Sequence, residues 1–330
     1  MRPAAVREER RTGEGTLSVL ARLDAGTRTL LERAWETRRA TRPEEIRFDT
    51  VGRTQAVSVT GRACGAQCAH CGGHYLEAML TPDEARAMVG GRKGRVVAGK
   101  ATDTPRSWLV SGGCTAEGQV PLLRDPALLE ELGRTGPLNL HAGLVRNEAE
   151  AAGLARHAAV VSLDFVVDTQ TIEDVYGFRG VTGDDFIRSF ELLSAHSRVV
   201  PHVLVGLAGG KVRGEFRALE ELARLGAEGV VLLVLIPTRG SRFEGLSPPP
   251  LADVARVMAE ARLALPGRPV RLGCMRPKGR YRAELDLLAV RAGLDRIAVP
   301  TPGAVREATA LGLRAVWSEE CCVFPSGEGN

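Results

Sequence analysis

Short apolar runs alternate with helical patterns along most of this chain, and that alternation limits the fold more than any other feature. Candidate strands cover residues 56–60, 107–110, 138–141, 160–164, 199–206, 230–236, 270–274 and 297–299. Helical periodicity fills 127–133, 148–157, 184–196, 215–225, 251–265 and 283–292, and follows the last strand at 304–311. The segment "TPDEARAMV" after the first strand carries its own start signal. Thr81 suits the N-cap, Pro82 the first helical position and Glu84 the reciprocal position of a capping box. Apolar strands joined by helices make a parallel sheet covered by helices. Eight such repeats in 330 residues predict an α/β fold, a (β/α)8 TIM-type barrel. An open doubly wound sheet is the alternative, weakened because no Gly-x-Gly-x-x-Gly follows the first strand. The expected organisation is an N-terminal extension with helices over 1–50, the barrel over 51–312, and a tail over 313–330 that carries a cysteine pair.

Barrels of this kind carry their active-site groups at the C-terminal ends of the strands. Unusual chemistry falls there repeatedly. "CGAQCAHC" follows the first strand, "SGGC" the second, and His141 ends the third. Asp164 ends the fourth, and "GLAGG", "PTRGS" and "CMRP" follow the next three.

Composition excludes several classes. No apolar run is long enough to span a membrane. The first residues, "MRPAAVREERRTGEG", lack the apolar stretch of a secretory signal, so a cytoplasmic protein is expected. In that compartment seven cysteines argue for metal binding or catalysis rather than disulfides. Net charge is +4, with the arginines interspersed among acids, and only 4% of residues are aromatic. So even a mixture along the chain shows neither the basic clustering nor the stacking platforms expected of a nucleic-acid surface.

Cys64, Cys68 and Cys71 stand at spacings of four and three, and the nearest other cysteine is Cys114. A zinc site would want a further Cys or His pair, and a thioredoxin-type site two cysteines. A four-iron cubane held by three thiolates keeps one iron open. That iron can seat a small molecule bearing an amine and a carboxylate.

Cys-x3-Cys-x2-Cys directly after the first strand, with "LVSGG" at 109–113 after the second, resembles the radical S-adenosylmethionine superfamily. The resemblance implies a [4Fe-4S] cluster on Cys64, Cys68 and Cys71. It implies S-adenosyl-L-methionine on the open iron, cleaved by one electron to give a hydrogen-abstracting radical. His70 fills a usually aromatic position, and its ring would pack near adenine. Ser111, Gly112 and Gly113 would receive the methionine amine, although Cys114 stands where an acidic residue is usual. Asp164, with Ser162 beside it, would hold the ribose hydroxyls, and Arg179 in "VYGFRG" the methionine carboxylate. His141 joins this cofactor set, and His202 is a further strand-end candidate; for both, a place in the core remains the alternative.

Within the superfamily, "LLERAWETRRATRPEEIRF", "HCGGHYLEAM", "LNLHAGLV", "LGCMRPKGRYRAELDLLAVRAG" and "SEECC" resemble the biotin-synthase-related branch. The likeness is to the group of two-protein lipoyl synthases. It implies sulfur insertion into an octanoyl chain on a lipoyl-carrier protein or domain. A paralogous radical enzyme and an electron donor such as ferredoxin or flavodoxin would take part. No cysteine precedes Cys64, unlike ordinary single-chain lipoyl synthases. Sulfur insertion needs a sulfur source, and a second iron–sulfur cluster on Cys114, Cys274, Cys321 and Cys322, or some of them, would provide it. His141 and Arg276 are substitutes should one thiol point away; buried inert thiols are the alternative. Another enzyme of the branch, a mutase or cofactor maturase, and a non-enzymatic cluster carrier are the other readings.

Overall fold

Strand residues such as "VVLLV" are β-branched or leucine throughout, which suits a strand covered on both faces. The computed structural model describes residues 18–91 and 105–325. It contains the strands β1 (Glu45–Asp49), β2 (Thr54–Ser58), β3 (Ser107–Ser111), β4 (Leu138–Ala142) and β5 (Val160–Asp164). β6 (Val199–Val205), β7 (Val230–Val234), β8 (Val270–Leu272), β9 (Arg296–Ala298) and β10 (Arg314–Ser318) follow. The helices are α1 (Ala25–Thr41), α2 (Pro82–Val89), α3 (Pro126–Gly133), α4 (Glu148–Ala155) and α5 (Gly183–Ser194). Then come α6 (Glu215–Arg224), α7 (Leu251–Ala264), α8 (Gly279–Arg291) and α9 (Pro302–Ala310).

The ten strands form one curled parallel sheet in the order β10-β1-β9-β8-β7-β6-β5-β4-β3-β2. The eight expected strands are β2 to β9, each followed by a helix, so the α/β barrel architecture holds. Two strands are additional. β1 lies in the segment read as a helical extension, and β10 in the segment read as a tail. They pair with each other and β1 also pairs with β9, which widens the sheet beyond eight strands. No ladder joins the two edge strands among the described residues. The chain after β10 bridges them instead: Arg53 N–H donates to Glu319 O at 2.8 Å, and Cys321 N–H to Thr54 Oγ1 at 2.8 Å.

Alternation along each strand sorts residues between two environments. Val57, Val110, Leu140, Leu163, Val203, Leu232 and Ile297 pack with helix residues such as Leu128, Phe190, Leu222, Met258 and Leu288 in one continuous core. Each such burial stabilises by about 1.5–3 kcal/mol. The alternate residues Val160, Val200, Val231 and Ala298 line the lumen, where Cys322, Val323 and Phe324 pack on them. The tail therefore enters the barrel rather than folding over one of its ends. Nearer the C-terminal ends of the strands, the inner face becomes polar.

Candidate active site

The thiol loop begins where β2 ends. Ser58 Oγ donates to Gly61 O at 2.6 Å, and Thr60 Oγ1 donates to Ala63 O at 2.8 Å while accepting Gly113 N–H at 2.7 Å. Gly65 N–H then donates to Cys114 O at 2.8 Å. The loop is thus stitched to "SGGC" at both ends. A Cβ on Gly113 would lie 2.1 Å from Ala63 O and 2.6 Å from Cys64 Cα. Glycine is required there for close packing of two loops. Neither Gly112 nor Gly113 has positive φ; Gly72 and Gly73 do, at 53° and 80°, turning the chain sharply after Cys71.

The ligand atoms of Cys68, His70 and Cys71 lie within 4.8 Å of one another. Cys64 Sγ sits apart, directed to Ala66 O at 3.2 Å, so two of the three predicted thiols are gathered and the third flanks them. The Cys71 thiol is brought down to about 7, by the Cys68 hydrogen bond first and, against burial, by Gly73 N–H. Cys68 is pushed up by the same hydrogen bond and by burial. Cys114 belongs to this group; burial and then the Cys64 charge push its thiol up to about 12. The His70 ring meets Tyr176 edge-on at 5.4 Å, and its buried Nδ1 has no partner among the described residues. Soft thiol donors with one lowered pKa fit an iron–sulfur cluster better than a hard cation.

Across the mouth stands a carboxylate between imidazoles. His141 Nε2 lies 3.3 Å from Asp164 Oδ1, and the His141 and His202 rings stack with centroids 5.2 Å apart. Burial pushes the Asp164 carboxyl up, but the His141 hydrogen bond and the charges of His141, His202 and His70 outweigh it, leaving the group at about 2. Burial, then the His141 charge, holds His202 down at about 3; its Nδ1 lies 3.1 Å from Val200 O. Asp164 keeps 40% of its side chain accessible, so an ionised acceptor faces the mouth. Ser162 does not accompany it: its hydroxyl turns down the barrel to Asn139 Oδ1 at 2.8 Å. Ser111 Oγ likewise donates to His141 O at 3.0 Å, which fixes β4 against β3.

Arg179 is exposed; its backbone N–H reaches Ala116 O at 3.0 Å, which lays its loop beside the Cys114 loop. That loop carries a π-helical turn, Ile172–Tyr176, whose Val175 O accepts Ala69 N–H at 2.6 Å. Nothing in local sequence marks this turn. Tyr176 stacks on Phe178 at 5.0 Å and, with Ile172, Leu144 and Leu207, builds an apolar wall against Cys68. Tyr176, Thr60 and Asn139 support the candidate site and were given no role by sequence reasoning; within "VYGFRG" only the arginine was given one.

The four remaining cysteines divide. Cys114 stays with the triplet. Cys274, Cys321 and Cys322 form a second group, each thiol in the field of another. Cys321 is brought down by its hydrogen bond with Cys322, and Cys322 and Cys274 are pushed up, Cys274 chiefly by burial. Arg276 is not free to join them. It is fully buried and donates to Asp286 at 2.8 Å, Gly273 O at 2.7 Å and Ala298 O at 2.8 Å.

No family model matches this chain, and no curated protein matches it in sequence. Its fold is similar to that of methylornithine synthase (PylB), with TM-score 0.60 and 16% identity over 91% of this chain and 93% of that one. The FeFe-hydrogenase maturase HydG from Carboxydothermus hydrogenoformans aligns with TM-score 0.62 and 13% identity, over 94% and 78% of the two chains. A further HydG structure gives 0.58 and 17%, over 86% and 63%. The chain shares with these proteins its parallel, barrel-type α/β fold.

Proposed function

We propose that this chain is a radical S-adenosylmethionine enzyme with a [4Fe-4S] cluster held by Cys64, Cys68 and Cys71. The observation that carries this reading is the thiol loop pinned on Gly113 at the mouth that also presents the ionised Asp164. When bound, the cluster supplies the electron for reductive cleavage of S-adenosyl-L-methionine, and so for hydrogen abstraction. Asp164 accepts from the ribose hydroxyls, held in place by His141. Tyr176 and Phe178 exclude water behind the thiols. Exposed Arg179 offers its guanidinium fork to a carboxylate.

The finer reading is one component of a two-protein lipoyl synthase, acting on an octanoylated carrier with a paralogous radical enzyme and a ferredoxin or flavodoxin donor. It is supported by the distributed sequence resemblance, by the thiols of Cys321 and Cys322 in the lumen and by exposed Cys274, whose thiol lies in their field. A second reading, a mutase or cofactor maturase, is favoured by the fold likeness to PylB and HydG. No helix among the described residues is long and apolar enough to cross a membrane.

Anaerobically reconstituted protein should release 5′-deoxyadenosine under reduction, and the C64A/C68A/C71A variant should release none; activity in that variant would sink the assignment. Asp164→Asn should weaken S-adenosyl-L-methionine about tenfold or more, since each charge-assisted hydrogen bond contributes about 1.5–3 kcal/mol. Sulfur transfer to an octanoylated carrier selects lipoyl synthesis over the mutase or maturase reading.

A further inference from the structure

The opposite end of the barrel holds a concentration of positive charge that the chemistry at the thiol mouth does not use. A cavity of about 160 Å³ opens among the N-terminal ends of β1, β6, β8 and β9. Its lining includes Arg42, Arg47, Arg198, Arg271 and Arg296 against only two carboxylates, Glu45 and Asp295.

The acids are already engaged. Glu45 pairs with Arg314 on the outside of the sheet, and Asp295 is shared by Arg42 and Arg262 at 2.7 Å each. Arg296 is committed too: Asp49 accepts two of its N–H groups at 2.7 and 2.8 Å, and Phe324 O a third at 2.6 Å. Three guanidinium groups are left over. Arg198 meets Glu228 only at 4.0 Å. Arg47 and Arg271 have no carboxylate within salt-bridge distance among the described residues. Arg271 is only 3% exposed; among the described residues its Nε has no partner, and its one side-chain hydrogen bond is a long one, to Pro269 O at 3.5 Å.

A buried cation without a counter-charge is strongly unfavourable, and one beside further cations is worse. Burial first, then Arg296, bring the Arg271 guanidinium down to about 10, against the opposing charges of Cys322 and Asp295. Water in the cavity would solvate these groups without neutralising them. We propose that the N-terminal mouth binds a phosphate-sized oxyanion, with Arg271 beneath it and Arg47 and Arg198 at its sides. Guanidinium forks match the paired oxygens of phosphate, which chloride cannot offer. The site is independent of the reaction at the thiol mouth.

Calorimetric titration of the full chain with inorganic phosphate, at ionic strength held constant with chloride, tests this. Saturable binding is expected. The R47Q/R198Q variant, which alters only half-buried side chains, should weaken it about tenfold or more, and Arg271→Met should do likewise. Arg280→Gln, exposed on α8 and paired only with Glu284 among the described residues, should leave it unchanged. Absence of saturable binding, or equal affinity in both site variants, overturns the proposal. A chain ending at Pro325 distinguishes the source of the oxyanion. Phosphate binding seen only after that deletion would mean that the site takes no free ligand in the full chain, and would overturn the proposal.

Discussion

One hydrogen atom at residue 113 decides whether the thiol loop can close. Because a Cβ there would fall on backbone atoms of Ala63 and Cys64, Gly113→Ala must displace the loop. Overpacking of this kind costs about 1–3 kcal/mol. The expected result is a small fall in denaturation midpoint with a larger loss of iron retained after reconstitution; full iron content would show that the contact does not position the thiols. The motif "SGG" was legible in the sequence, but the reason for its second glycine was not, since the clash is with a loop some fifty residues earlier. The partner of Ser162 was not legible for a similar reason. Its proximity to Asp164 in sequence says nothing of the Asn139 acceptor on the neighbouring strand. His202 offers a pH test. Its folded value of about 3 lies below the ordinary imidazole value, so the unfolded chain binds the proton first as pH falls. Stability from this group is complete above about pH 6.5 and is lost towards pH 3, at up to about 1.4 kcal/mol per pH unit. His202→Asn should flatten the fall in denaturation midpoint between pH 7 and pH 5; an unchanged slope would remove His202 as its source.

At the scale of elements, the repeating units were legible because each carries a local signal. The capping box is an example: Thr81 N–H donates to Glu84 Oε2 at 2.9 Å and Glu84 N–H to Thr81 Oγ1 at 3.3 Å. It fixes more than α2, because Leu80 pairs with β2 immediately before it, through Ser58 N–H to Leu80 O at 2.9 Å. Thr81→Ala should cost about 1 kcal/mol, read as a lowered denaturation midpoint with activity retained; no change would mean the end of α2 is held by packing alone. β1 and β10 were not legible. "EIRFD" alternates as strands do and "RAVWS" has a short apolar centre, but each is only five residues long with polar ends. What makes them strands is their mutual register, Ile46 beside Ala315 and Phe48 beside Trp317, which no local window contains. The π-helical turn at Ile172–Tyr176 was hidden in the same way, by dependence on the Ala69 amide it receives.

For the whole molecule, the segment after β10 links the two ends of the sheet and fills the lower lumen. As a tail over 313–330, this segment would be expected to come away without loss of the barrel. The structure changes that expectation. The bonds from Arg53 to Glu319 and from Cys321 to Thr54 span the open seam. Val323 and Phe324 are 0% and 4% exposed against Val160, Val200 and Val231. Losing the phenyl ring alone costs about 3–5 kcal/mol, so a chain ending at Trp317 should lose the fold together with both thiol groups. The C274S/C321S/C322S variant of the full chain separates the questions, since it keeps the seam and the lumen packing. If the lower thiols hold a second cluster, this variant should retain cleavage of S-adenosyl-L-methionine, bind about half the iron, and fail in sulfur transfer. Iron content equal to that of the unaltered protein would show that these three thiols hold no second cluster.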